Sequence, residues 1–298
     1  MKPILNTVII PTTCKTERRD SLLNAIESIG HQDGVGSKII VVINGSLYDA
    51  RLTELIQNIP NTELVFSKVA DLALAIEHGR SLVNTKYFSF LDDDDEYIQN
   101  TLISRINRLE EDDSIDVLVT NGYDISNGVQ ELRVKDSAAI NHDPLKALMN
   151  YNWLASCGGT FRSATVSKEY FKKPVKYYEW TTIAFRVSGE LNVVFVDIPT
   201  YCVNDSTVSL SKSSDYIVAS EDILRMMLAS GKSRKIKKIL HIKLSSVLHT
   251  ISDFHRNNNN LTSAWIYHMK SLLYTGGYRY FAYTRRLLYA VFKSDTAP

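Results

Sequence analysis

The chain has 298 residues, of which 44% are apolar and 22% charged, and its formal net charge is +1. Those proportions exclude a disordered chain, and the length suits one large α/β domain or an ordinary domain with an appendage. No run approaches the ~18 uncharged apolar residues that a transmembrane helix needs.

In chain order, residues 7–11 (TVIIP) read as a buried strand. A helix is predicted over 17–29, with Leu22, Leu23, Ile26 and Ile29 at helical spacing. Residues 38–43 (KIIVVI) form a second β-branched run, closed by the turn signal Asn44-Gly45-Ser46. A helix over 48–58, a strand over 63–66, a helix over 72–83 and a strand over 87–91 follow, then a helix over 102–109 and a strand over 116–120. Such alternation implies βαβ units and a mostly parallel sheet with flanking helices. After Asn121 the rhythm loosens. Residues 152–161 are rich in small side chains, 178–187 read as helix, and 192–197 read as a strand ended by Pro199.

From Asp215 onward the pattern is helical, a C-terminal helical appendage. Ile236, Ile239, Leu240, Leu244, Val247, Leu248 and Ile251 form an amphipathic stripe that breaks at four asparagines, 257–260. Two further helices are expected over 261–274 and 278–292, joined by Gly276-Gly277. Charge is unevenly spread. Residues 232–293 carry 12 Lys or Arg against one acid, Asp253, a local +11, which leaves residues 1–231 at −9. An acidic body with a basic tail signals a partner, and an anionic membrane surface or a nucleic acid would both suit the charge. Cys14, Cys157 and Cys202 are scattered and odd in number, and residues 1–6 carry no signal-peptide pattern, so a reduced cytoplasmic compartment is expected.

The most informative segment is Phe88-Ser89-Phe90-Leu91-Asp92-Asp93-Asp94-Asp95. A strand that delivers carboxylates to the carboxyl edge of an open α/β sheet presents hard oxygen ligands to a divalent cation. Two unit charges about 6 Å apart repel by roughly 3 kcal/mol at an effective dielectric near 20, so something must offset the run. A solvated acidic loop capping the next helix is the other reading of these residues.

Three segments in order, Val8-Ile9-Ile10-Pro11-Thr12, Ile40-Val41-Val42-Ile43-Asn44-Gly45-Ser46 and Phe88 to Asp95, each follow a predicted strand. Together they resemble the GT-A (Rossmann-like) glycosyltransferases of family 2, over roughly residues 5–211. The resemblance implies a catalytic domain over 1–211, with a nucleotide-binding half near 1–120 and an acceptor half near 121–211, followed by a basic helical region over 212–298. It implies an inverting, metal-dependent hexosyltransferase that uses Mn²⁺ or Mg²⁺ and a nucleotide-sugar donor, with uracil the first choice of base. Asp92 and Asp94 would be the DxD metal ligands and Asp93 would face the ribose or sugar. Pro11, Thr12 and Thr13 would line the nucleoside pocket, with Asn44 at the base.

Later landmarks extend the resemblance. Glu179, in Lys176-Tyr177-Tyr178-Glu179-Trp180, looks like the family's general base, and Trp180 would stack on the acceptor sugar; a first-turn helix acid beside a core tryptophan is the plainer alternative. Gly158 and Gly159 would let backbone approach the acceptor, or simply make a turn. Tyr201-Cys202-Val203-Asn204 with Ser209-Leu210-Ser211 resembles a YRxH…SLS segment, with Asn204 in place of the histidine and Cys202 in place of an arginine. Leu72 to Gly79 resembles the family's ARNxG helix, with Ile76 and Glu77 replacing its Arg and Asn; Arg80 is the nearest substitute cation. Two functions follow as expectations. One is sugar transfer to a glycan or lipid-linked glycan in surface polysaccharide synthesis. The other is a catalytically weakened nucleotide-sugar-binding or scaffold protein of the same fold. The tail, with Arg279, Tyr280, Phe281, Tyr283, Arg285, Arg286, Leu287, Leu288, Tyr289 and Phe292, is expected to contact the inner face of an anionic membrane peripherally, or to pack on the body. A nucleic-acid partner is not expected, because the acidic body would repel phosphates.

Overall fold

The computed structural model describes residues 3–204, 214–231 and 233–294. They fall into two compact units, Met1–Ser209 and Leu210–Pro298.

The first unit is built on a nine-stranded sheet. Its strands are β1 (Ile4–Thr12), β2 (Gly36–Asn44), β3 (Thr62–Ser67), β4 (Tyr87–Phe90), β5 (Glu96–Tyr97), β6 (Val117–Ser126), β7 (Val129–Leu132), β8 (Gly159–Arg162) and β9 (Val193–Asn204). The order is β3-β2-β1-β4-β8-β6-β9-β5, with β7 paired to β6. The strands β3, β2, β1 and β4 are all parallel. Strand β8 runs antiparallel between β4 and β6, β9 is parallel to β6, and β5 and β7 are antiparallel edge strands. The α/β class holds, and the sheet is mixed.

Helices α1 (Arg19–Gly30), α2 (Ala50–Gln57), α3 (Leu72–Ser81), α4 (Leu102–Glu111), α5 (Ala138–His142), α6 (Pro144–Leu148) and α7 (Glu179–Val187) flank it. Asp49 caps α2 by accepting from Arg51 N and Leu52 N, and Asp71 caps α3 by accepting from Leu74 N. Strand β1 reads as a continuous apolar run because both of its faces are covered. Val8 and Ile10 pack with Leu22 and Ile26 of α1. On the other face, a Cβ at Gly79 of α3 would fall 2.4 Å from the Ile9 side chain, so α3 lies directly on the strand. Next to it, Phe88 stacks on Phe161 at 5.0 Å between ring centroids, and Phe90 on Phe171 at 5.5 Å.

Three strands escape the sequence pattern. Residues 159–162, at the end of the small-residue stretch and one residue past it, form β8, and β5 and β7 are only 2 and 4 residues long.

The second unit contains α8 (Ser214–Ala229), α9 (Arg234–Asn257), α10 (Leu261–Leu272) and α11 (Tyr283–Ser294). In the α9 stripe Ile236, Leu240, Leu244, Leu248 and Ile251 are buried, and Ile239 and Val247 half-buried. Small hydroxyls join α9 to α10: Ser252 Oγ donates to Ala264 O at 2.6 Å and Ser245 Oγ to Ser271 O at 2.8 Å. The asparagines end one helix and start the next. Asn259 takes φ +58°, and Asn260 caps α10 by accepting from Ser263 N. The last helix begins at Tyr283, later than expected, because residues Gly277–Tyr280 form a 3-10 turn after Gly276 at φ +92°. No helix among the described residues is long and apolar enough to cross a membrane.

Candidate active site

The parallel register brings three loops to one edge. Leu91 N bonds Ile9 O at 3.0 Å, so the chain leaving β4 is level with the end of β1. Thr12 Oγ1 donates to Asp93 Oδ2 at 2.5 Å and accepts from Cys14 N at 2.9 Å. Cys14 turns the chain with φ +48°. Pro11 is buried beside it and Thr13 half-buried.

Each carboxylate of the acidic turn has its own holder. Ser156 Oγ donates to Asp92 Oδ2 at 2.7 Å. Arg18 Nη1 contacts Asp94 Oδ2 at 2.8 Å and Asp93 Oδ1 at 3.3 Å. Asp95, 3% exposed, accepts from Asn204 N at 3.2 Å and from Cys157 Sγ at 3.5 Å. Asn204 Nδ2 also donates to Asp94 O at 2.8 Å. Asn204 thus braces the turn from the end of β9; Ser209, Leu210 and Ser211 lie outside the described residues.

Burial governs the electrostatics. It pushes Asp92 up to about 6, with Asp94 and Asp93 adding repulsion and the Ser156 hydroxyl opposing it. It pushes Asp95 up to about 8, helped by Asp92 and Asp94. Asp93 is also raised by burial, against the pull of Thr12 and Arg18. Arg133, paired with Asp124, is near enough to draw Asp92 back down slightly. Among the described residues the four aspartates of this turn thus outnumber the cation in contact with them, Arg18, and the raised carboxyls of Asp92 and Asp95 reflect the cost of ionising them all together.

That surplus, on hard oxygen donors, fits Mg²⁺ or Mn²⁺, which are commonly held by one or two carboxylates together with substrate phosphates. Among the described residues no three His, Cys, Asp or Glu side chains gather into a cage that would hold a metal.

At the end of β2, Asn44 Oδ1 accepts from Asp71 N at 2.7 Å, tying that strand end to the cap of α3. Glu179, the first residue of α7, is 5% exposed and accepts from Tyr177 N at 3.0 Å. Burial raises its carboxyl above the usual range, and Asp71 adds to the shift. Trp180 is half-buried, with its ring edge-on to Phe90 at 5.0 Å. Both glycines answer to packing. A Cβ at Gly158 would lie 3.2 Å from the Tyr201 hydroxyl, and one at Gly159 would lie 2.8 Å from the Phe161 ring.

The altered helix α3 puts no charge on the acidic turn. Ile76 is fully buried, Glu77 accepts from Lys173 N at 3.0 Å, and Arg80 lies over Phe88 and donates to Val166 O. Sequence reasoning missed Arg18, Arg133 and Asp71. One signal was available: Arg18 and Arg19 put two cations at the start of α1, where the helix dipole favours acids.

A family model described as Glycosyl transferase family 2 matches residues 7–173. Solved structures share the fold at low identity. Staphylococcus aureus TarS 1-349 in complex with UDP superimposes with a TM-score of 0.58 at 18% identity, over 88% of this chain and 75% of that one. The same protein in complex with UDP-GlcNAc gives 0.60 at 15% identity, over 90% and 81%. No curated protein sequence matches the chain.

Proposed function

The chain belongs to glycosyl transferase family 2, and from that membership we propose that it is an inverting transferase acting on a nucleoside-diphosphate sugar. A UDP-sugar is the favoured donor, since the TarS structures that share the fold hold UDP and UDP-GlcNAc. The acceptor is a hydroxyl of a glycan or lipid-linked glycan, in surface polysaccharide synthesis. The observation that carries this reading is the surplus of carboxylate held at the carboxyl edge of β1 and β4 by Thr12, Ser156 and Asn204.

Asp92 and Asp94 are the residues that would hold Mn²⁺ or Mg²⁺, and the bound ion would supply Lewis-acid stabilisation of charge on the departing diphosphate. Thr12 and Ser156 keep the turn in place, so little reorganisation is needed when the donor arrives. Glu179 takes the proton from the acceptor hydroxyl, which attacks the anomeric carbon opposite the leaving diphosphate and inverts it. A raised carboxyl suits this task, since a base titrating nearer the working pH transfers protons more effectively. The test is sugar transfer from UDP donors with Mn²⁺ present, comparing Asp94→Ala and Glu179→Ala with the parent. Unchanged turnover in both variants removes the site assignment.

A second reading, a nucleotide-sugar-binding or scaffold protein without turnover, draws on Asn44 and Glu77, whose side-chain oxygens already serve the protein's own backbone. Calorimetric binding of UDP without turnover of any donor would favour it.

The C-terminal unit supports peripheral contact with an anionic membrane at its cytoplasmic face. Leu273, Tyr278, Phe281, Leu288 and Tyr289 are exposed among the exposed cations Arg279, Arg285 and Arg286. Tyr283 and Leu287 are buried within the unit, and the Phe292 side chain lies outside the described residues. Exposed apolar side chains interleaved with Arg match a headgroup boundary.

A further inference from the structure

Arg18 is a cation the acidic turn already contains. It closes the 3-10 turn Thr16–Arg18 that follows β1, and a single guanidinium nitrogen makes both contacts, to Asp94 at 2.8 Å and to Asp93 at 3.3 Å. Its side chain is 32% exposed, so the pair is open to solvent on one side. Partly exposed pairs of this kind are weak and readily exchanged. Helix stability gives no reason for a cation here, since the amino end of α1 disfavours one. The acidic turn does give a reason: its charges repel each other while no other cation is bound.

We propose that Arg18 is an exchangeable counter-ion. It neutralises Asp93 and Asp94 while the donor site is empty, yields Asp94 to the divalent cation, and then pairs with the diphosphate of the donor. The inference rests on Asp92 and Asp94 being the metal ligands. Two cations cannot share the Asp94 carboxylate without mutual repulsion, so the guanidinium and the metal compete for it. Once released, a planar guanidinium finds in a diphosphate the bidentate acceptor geometry it matches best. Arg18 therefore opposes binding of the bare metal and favours binding of the nucleotide, two effects of opposite sign on one residue. Loss of a residue that merely props up the loop would weaken both.

The experiment measures Mn²⁺ alone by electron paramagnetic resonance, then UDP by calorimetry at saturating Mn²⁺, on the full chain and on Arg18→Gln. Arg18→Gln is expected to bind Mn²⁺ alone about fivefold tighter than the parent and UDP about tenfold weaker. Mn²⁺ affinity that is unchanged or reduced overturns the proposal, as does unchanged UDP affinity. Absence of Mn²⁺ binding to either protein, with or without UDP, overturns the metal ligands themselves, a separate result. Should Arg18→Gln fail to fold, Arg18→Lys replaces it. Lysine keeps the charge but not the fork, so Mn²⁺ affinity should hold within about twofold of the parent while UDP affinity falls by about tenfold. Equal UDP affinity in that variant overturns the proposal.

Discussion

Ser156 Oγ donates to Asp92 Oδ2 at 2.7 Å across 64 residues of sequence, joining the loop before β8 to the turn after β4. That loop is itself held from behind, because the buried Arg105 guanidinium donates to Cys157 O at 2.8 Å. The hydroxyl steadies the carboxylate and opposes the effect of its burial. Ser156→Ala should therefore weaken Mn²⁺ binding in the presence of UDP by about 10- to 100-fold, the usual effect of removing a partner that orients a metal ligand. Calorimetry on the two proteins checks this, and equal affinities would show that Ser156 does not orient Asp92.

Glu179→Gln should lower kcat by about 10²–10⁴-fold while raising stability at neutral pH. The sign follows from the direction of the shift. Burial raises the Glu179 carboxyl in the folded protein above its ordinary value of 4.5. Its favourable contribution is thus fully present below that ordinary value and lost as pH rises through the folded one. Glutamine cannot ionise and still offers Oε1 to Tyr177 N. Thermal melts at pH 5 and pH 8 should show the variant's advantage growing with pH. The parent's kcat/KM should fall on the acid side, with an apparent pKa above 4.5.

Gly122 and Tyr201 provide a test of the core behind the site. A Cβ at Gly122 would lie 2.3 Å from the Tyr201 ring, which is wholly buried. Gly122→Ala should cost about 1–3 kcal/mol in urea unfolding, as overpacking does. Among the described residues the Tyr201 hydroxyl has no hydrogen-bond partner. Tyr201→Phe should accordingly be neutral or stabilising in the same experiment.

Flotation with vesicles tests the C-terminal surface. The full chain should float with phosphatidylglycerol vesicles and not with phosphatidylcholine alone, and salt should release it. Replacing Arg279, Arg285 and Arg286 with Gln should weaken partition by about fivefold per charge, given ~1 kcal/mol for each cation near an anionic surface. Phe281→Ala should weaken it without changing the salt dependence. Equal partition of parent and variants would end the membrane reading.

The parallel half of the sheet was legible in the sequence because β1, β2 and β4 are covered on both faces and so read as mainly apolar runs. Strand β8 was not, since its Gly159 and Thr160 carry no strand pattern, and its place between β4 and β6 depends on partners distant in the chain.

Local order is what one dimension records. The period of apolar side chains and the bare fact of four successive aspartates settled the α/β class and pointed to the acidic edge. Which groups hold each aspartate was decided in three dimensions. Thr12 and Arg18 (at and just after the end of β1), Ser156 and Asn204 come from three separate segments, and only the sheet order brings them to one turn. The raised carboxyls of Asp92, Asp95 and Glu179 share that origin, because desolvation depends on everything packed around a group and not on its neighbours in the chain.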